Sequence, residues 1–437
     1  MQVVVLQRLS VGLAIALHSC VLVRSPGFLL ILIVVLVASS RAQSGRMTLD
    51  EALDLAGAHH PQLQAATAQL EGAAAGIVTA RAYPNPEFNT TSGPQYARRN
   101  PVGQAAPGLL LGYGVSQQLE LRGLRQARIE LAQRGRDSGA LVVDEVRLSV
   151  RGAVKQAFYE VLRRRAEVEL ARDNLRLIED LRRRIEVQVD VGEAARLELV
   201  RAEAEVATAR NLARSAQLRL VTSTSTLRAA IAAPLAGAIE PVGTLDPPQV
   251  LPPLEQLRDE VLARHPALAR MRAEIRRAEA SLRNETAQRV PQPSLFAEYD
   301  RQPDLGYFRA GISIPIPVLN RREGPIAEAV AQLRRARAEN EMREIELTAA
   351  LERAYGQYEV ASQQLAAFQE GVLREAEAAL AAAEAAFRFG ERGIIEVLDA
   401  QRVLRSVRSD LVSAQFDLQA ARIDLEQLRA SDLGTTP

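Results

Sequence analysis

Glu396 and Asp399 stand three residues apart in the run Phe389–Arg402, FGERGIIEVLDAQR. On a helix that spacing puts both carboxylates on one face, where paired negative charge attracts cations. Arg392 precedes them, and Phe387 lies just before the run. A degenerate copy, VGEAARLELVRAEA, begins at Val191, 198 residues earlier, and carries Glu198 six residues after Gly192. Ordinary solvated helix charge is the plain alternative for all of these residues.

Other residue types that do chemistry are sparse. His59-His60 invites a metal reading, but adjacent helical residues point apart and lack the i, i+4 geometry of a ligating pair. The dipeptide His60-Pro61 recurs as His265-Pro266, which favours a helix-start role. Cys20 is the single cysteine, so neither a disulfide framework nor a thiolate metal site forms in the rest of the chain. No nucleotide loop, nucleophile elbow or carboxylate–histidine metal motif occurs, so no cofactor, no metal centre and no enzymatic activity is expected. With 54 Lys+Arg against 53 Asp+Glu the charge is balanced, unlike a nucleic-acid-binding footprint. The basic triplets Arg163–Arg165 and Arg182–Arg184 are interleaved with acids at helical spacing, which reads as solvated faces or inter-helix ion pairs.

The chain that must position the carboxylates is an internal duplication. His60-Pro61-Gln62-Leu63 recurs as His265-Pro266-Ala267-Leu268, and each opens a helical segment that ends in a proline cluster, Pro84/Pro86 and Pro291/Pro293. One unit of about 200 residues is used twice. The expected organisation is a leader over 1–42, a first repeat over 43–232, a proline-rich connector over 233–256, a second repeat over 257–433 and a tail over 434–437. The leader follows from the apolar run Phe28–Val37, with Arg24 before it and Ser39-Ser40-Arg41-Ala42 after it, the layout of a secretory signal cleaved after Ala42. An alternative start codon at Val21 or Val23 would explain its unusual length. Lipidation at Cys20 fits less well, because apolar sequence continues well past it.

No proline falls between Pro107 and Pro234, nor between Pro325 and Pro437. Each tract carries apolar residues at helical spacing, for example Leu148, Ala153, Phe158 and Leu162, so long helices in coiled-coil packing are predicted. One interruption per tract, Val189–Glu193 and Phe389–Gly393, makes each a helical hairpin. The arm from Arg122 to Val189 would span about 100 Å at ~1.5 Å per residue.

Strands occupy the proline-rich parts. From Leu109 to Leu121 the odd positions other than Gln117 are apolar, among them Leu111, Tyr113 and Val115. Phe308, Ala310, Ile312, Ile314 and Ile316 repeat the pattern against Arg309, Gly311, Ser313 and Pro315. This is period two with one apolar face. Weaker strands at Glu87–Ser92 and Ser294–Asp300 precede them as hairpin partners. Five of the eight tyrosines, Tyr83, Tyr96, Tyr113, Tyr299 and Tyr307, lie in or beside these segments, where a membrane-interface girdle would want them. Four strands cannot close a barrel, and an open edge cannot sit in lipid. A membrane reading therefore needs several chains to share one barrel; soluble hairpins capping a coiled coil remain the alternative.

Signal segment, tandem repeat, strand hairpins, long helical hairpins and the tip run Glu396-Val397-Leu398-Asp399-Ala400-Gln401 together resemble the TolC family of outer-membrane efflux channels, over about Met47 to Leu433. Leu49–Leu53 (LDEAL), Tyr83–Phe88 (YPNPEF), His265–Leu268 (HPAL) and Ile314–Gly324 (IPIPVLNRREG) look like the outer-membrane subunits of cobalt-zinc-cadmium efflux systems. The resemblance implies a mainly helical fold: helical hairpins forming a periplasmic tunnel, and four strands per protomer in a 12-stranded barrel shared by a homotrimer. It further implies a passive duct in the outer membrane of a Gram-negative bacterium, working with a periplasmic adaptor and an inner-membrane, proton-driven resistance-nodulation-division pump.

Carried over residue by residue, Glu396 and Asp399 match acidic residues of the family's entrance constriction, and three chains would make a ring of six carboxylates. Arg392 matches an arginine that tethers the closed entrance, and Glu198 an acidic partner in the other hairpin. Phe387 departs from the pattern, because a well-known member has a tyrosine there whose hydroxyl joins the tether. Gly192, Gly390 and Gly393 mark the tips that meet the adaptor. Leu111, Tyr113, Val115, Phe308, Ala310, Ile312 and Ile314 would face lipid. Multidrug efflux or type I secretion on the same fold, and a periplasmic coiled-coil scaffold, are the alternatives.

Overall fold

The computed structural model describes residues 45–96, 107–234, 237, 239–245 and 251–431. The leader with Cys20 and the tail from 434 lie outside the described residues.

The chain opens with β1 (Arg46–Met47), α1 (Leu49–His59) and α2 (Pro61–Arg81). Strands β2 (Glu87–Gln95) and β3 (Gly108–Gln118) lead into the long helices α3 (Arg122–Asp190) and α4 (Arg196–Ile231). After β4 (Glu240–Pro241) the order recurs: α5 (Leu254–Arg264), α6 (Pro266–Ala287), β5 (Ser294–Arg301), β6 (Gly306–Ser313) and α7 (Glu323–Ala367). One π-helical turn, Phe368–Val372, joins α7 to α8 (Leu373–Arg388), and α9 (Ile394–Arg429) completes the second hairpin. Two compact units result: one holds the parallel pair β1–β4, the other the long helices and the four-stranded sheet.

Local chemistry accounts for the helix starts. Thr48 closes a capping box on α1, its hydroxyl accepting from Glu51 N–H at 3.3 Å while its own N–H donates to the Glu51 carboxylate at 2.8 Å. His60 and His265 are the N-caps of α2 and α6, each with its Nδ1 accepting from the backbone two residues on, at 3.2 and 3.1 Å, and with proline at the first helical position. The repeated histidine is thus a helix-start residue.

The sheet is antiparallel in the order β2-β3-β5-β6. Two expectations for it are corrected. Ile314 and Ile316 lie beyond β6, which ends at Ser313, because Pro315 and Pro317 cannot donate to the ladder. Leu119 and Leu121 likewise fall past the end of β3. The second tract also carries two interruptions rather than one, the π turn as well as the tip. The last residues of the proline-rich connector are already helical, since α5 starts at Leu254.

Two apolar clusters hold the helices together. Leu257, Leu268, Leu351, Tyr358, Leu418 and Leu425 bring α5, α6, α7 and α9 into one core. Near the tips, Ile178, Ile185, Val206, Ile394 and Val397 join α3, α4 and α9. Burying each such side chain contributes roughly 1.5–3 kcal/mol.

Candidate functional site

The hairpin tips are built on two glycines. Gly192 (φ 82°) and Gly390 (φ 73°) occupy the left-handed region at the C-termini of α3 and α8. The N–H of Gly192 donates to Val189 O and that of Glu193 to Gln188 O; Gly390 donates to Phe387 O and Glu391 to Ala386 O. This is the same Schellman closure twice, in which a residue without a Cβ stops the helix at no steric cost. Gly393 is different: at φ −81° it is the extended N-cap of α9 and needs no glycine for its conformation. Val191 and Phe389 stand exposed at the two turns.

Glu396 and Asp399 project from the first turns of α9, both exposed and near the helix N-terminus, where the dipole favours negative charge. Each has an arginine within reach. Arg392 approaches Glu396 at 3.8 Å, and Arg402 donates to Asp399 at 3.2 Å. The carboxylate pair therefore has compensating charge within four residues, Arg392 in the tip turn and Arg402 on α9 itself. Arg392 pairs with Glu396 rather than with Glu198, which lies half-buried on the first turn of α4.

Two residues missed in the sequence complete this region. Arg402 donates a second bond to Glu205 on α4 at 2.9 Å, and that carboxylate is only 13% exposed. Both acids raise the Arg402 pKa, the hydrogen bond to Glu205 most strongly. At the tip side of Leu170, this is the ion pair among the described residues that joins the two hairpins. The signal available beforehand was weak, because arginines and acids recur at every turn. Phe387 packs against the tip cluster with Val189, Leu199, Leu380 and Ala383. Its ring is spent on apolar contact, where a phenol hydroxyl would need a partner.

The sheet divides its chemistry by face. Tyr113, Tyr299 and Phe308 are register partners across β3, β5 and β6, and Val115, Ala297 and Ala310 form the next row. With Leu111 and Ile312 they make a mainly apolar face, shared with Thr90, Ser92 and Arg301, on which Tyr113, Val115, Phe308, Ala310 and Ile312 are exposed. The opposite face is mainly polar, with Leu110, Phe296 and Tyr307 among its residues. Arg309 donates to Glu298 at 3.1 Å and to Asp300 at 2.7 Å. Gly112 and Gly114 leave room for these acids: a Cβ at Gly112 would come within 2.7 Å of the Asp300 carboxylate, and one at Gly114 within 2.9 Å of Glu298. Apolar on one side and polar on the other is the pattern of a transmembrane barrel wall. Among the described residues no helix is long and apolar enough to cross a membrane, and no cluster of three or more His, Cys, Asp or Glu is placed to hold a metal ion.

The sequence profile of outer membrane efflux proteins matches residues 52–233 and 257–431. The chain belongs to the outer membrane efflux protein family. The two matched stretches flank the β4 region, so the family's repeat covers both hairpins of this efflux protein. It is 30% identical over 378 residues to the cobalt-zinc-cadmium resistance protein CzcC of Cupriavidus metallidurans, covering 84% of this chain and 86% of that one. It is 24% identical to the nickel-cobalt-cadmium resistance protein NccC of Alcaligenes xylosoxydans, over 68% and 67% of the two chains. Among solved structures, CusC superposes with a TM-score of 0.71 at 19% identity, covering 87% of this chain and 91% of that one. VceC from Vibrio cholerae gives 0.69 at 17%, covering 87% and 96%. The fold of this efflux protein is thus that of the outer-membrane channels, a helical part with a barrel-forming sheet.

Proposed function

We propose that this efflux protein is the exit duct of a tripartite system that expels divalent heavy-metal cations of the cobalt-zinc-cadmium type. The observation that carries the reading is the identity with CzcC across most of both chains. The likeness to NccC supports the same cargo class.

In this reading three copies associate, each giving β2, β3, β5 and β6 to a 12-stranded barrel. The open edges of β2 and β6 support it, because unpaired strand edges do not persist in lipid. The hairpins cross the periplasm, and the tips at Gly192, Gly390 and Gly393 meet a periplasmic adaptor. An inner-membrane proton-driven pump selects the cargo. The duct itself performs no chemistry and offers a path lined with fixed charge, in which Glu396 and Asp399 form the entrance ring and Arg392 and Arg402 trim its field. Glu198 and Phe387 stand beside that ring on the facing hairpin and at the tip core.

Growth of a deletion strain on graded cobalt, zinc, cadmium, nickel and copper, beside a panel of dyes and antibiotics, tests this. Hypersensitivity confined to divalent metals and restored by the wild-type gene is the expected result. Sensitivity to drugs alone would sink the metal reading while leaving the channel in place.

A further inference from the structure

The apolar face of the sheet does not stop where β6 stops. Ile314 and Ile316 continue its alternation, and Ile314, Ile316, Val318 and Leu319 are 59%, 79%, 66% and 100% exposed. This strap runs from Ser313, the last paired residue of β6, to Arg322. Arg322 is held in the left-handed region at φ 57°, with its N–H donating to Asn320 Oδ1 at 2.9 Å and its guanidinium bound to Glu285 of α6 at 2.5 Å. The strap is therefore anchored at both ends while its side chains are uncovered. Contiguous exposed apolar surface of this kind marks an interaction site.

We propose that Ile314–Leu319 is a membrane strap, seated in the phospholipid leaflet on the helical side of the barrel. It rests on the reading of the sheet as a barrel wall. Three observations favour lipid as the occupant. The strap is continuous with the exposed apolar row Phe308, Ala310, Ile312, so whatever covers that row meets the strap next. Its backbone suits a low-water boundary: Pro315 and Pro317 carry no N–H, and that of Val318 donates to Ile316 O at 2.9 Å, so half of the six residues have no donor left to desolvate. Its charge order suits a headgroup layer, since exposed Arg321 follows Leu319 by two residues and holds none of the ion pairs of the described residues. Apolar side chains beside an unpaired cation match acyl chain beside phosphate.

The chain contains no tryptophan, so one introduced indole reports a single place. Leu319→Trp, with Ile316→Trp as a second strap position and Phe308→Trp on the strand, would each be reconstituted as the full protein in phosphatidylcholine vesicles with or without lipid brominated near the headgroup. Blue-shifted emission quenched by the brominated lipid at both the strand and the strap positions is expected. Quenching at Phe308→Trp but not at either strap position would overturn the strap while leaving the barrel wall intact. In that case blue-shifted emission would assign the strap to a neighbouring copy, and iodide quenching to water. No lipid quenching at any position would overturn the strap and the barrel wall together.

Discussion

Arg402 of α9 donates to Glu205 of α4 at 2.9 Å, pinning the two hairpins of one chain side by side about two turns inside the tips. The contact matters because Glu205 is nearly buried while its partner is half exposed. A carboxylate shielded from water and stripped of its cation keeps its desolvation cost without the compensating attraction.

Arg402→Ala should therefore destabilise the hairpin pair by about 1–2 kcal/mol, and adding Glu205→Ala should recover part of the loss. Thermal unfolding of the detergent-solubilised protein, arranged as a double-mutant cycle, measures this. Additive losses would show that the pair is not coupled.

Gly390→Ala and Gly192→Ala force an L side chain into the left-handed region, at about 1–2 kcal/mol each, although the space around both is open. Gly393→Ala, at φ −81°, carries no left-handed strain, and its cost of up to about 1 kcal/mol comes only from putting alanine at an N-cap. Hydrogen exchange at the tip amides should rise in the turns after α3 and α8 for the first two, and only at the first turn of α9 for the third.

The carboxylates of the proposed entrance ring and their arginines predict opposite effects on ion preference. Glu396→Gln with Asp399→Asn should lower cation selectivity in single-channel recording, and Arg392→Gln should raise it. A reversal potential that none of these changes moves would remove the entrance ring from the selectivity path.

His265 predicts a pH dependence. Burial, with Arg343 adding to it and Glu145 opposing it, pushes its pKa from 6.5 down to about 4. The neutral ring is also the form needed, since Nδ1 accepts the Ala267 N–H at 3.1 Å. Because the folded pKa is the lower one, the unfolded chain binds more protons between these values, and stability rises with pH there. The contribution, at most about 3 kcal/mol, is complete above pH 6.5 and is lost as pH falls toward 4. His265→Asn keeps a capping side chain without a titrating one, so its melting temperature should be flatter than wild type across that window.

Much of the architecture was legible because it rests on local periodicity. The alternation through Tyr113 and Val115 marked a strand with two unlike faces, and the proline-free tracts marked α3, α4 and α9. Gly192 and Gly390 marked turns because only a positive φ closes a helix in that way. Where the periodicity ran on without the backbone, it misled: Ile314 and Ile316 keep the apolar rhythm, but proline removes the donors that a strand needs.

The pairing β1–β4 joins two-residue strands, too short to show any period. The π turn at Phe368–Val372 sits in sequence that reads as continuous helix. The carboxylate pair, the tip glycines and the two-faced strands were determined by the sequence, because each depends on neighbours within a turn or a pleat. Arg392 with Glu396 and Arg402 with Asp399 are pairs within one turn, but that Arg402 also reaches Glu205 was decided only by tertiary structure. Long charged side chains find opposite charge at almost every turn, and only the packing of α4 and α9 against α3 brings Glu205 within reach of Arg402.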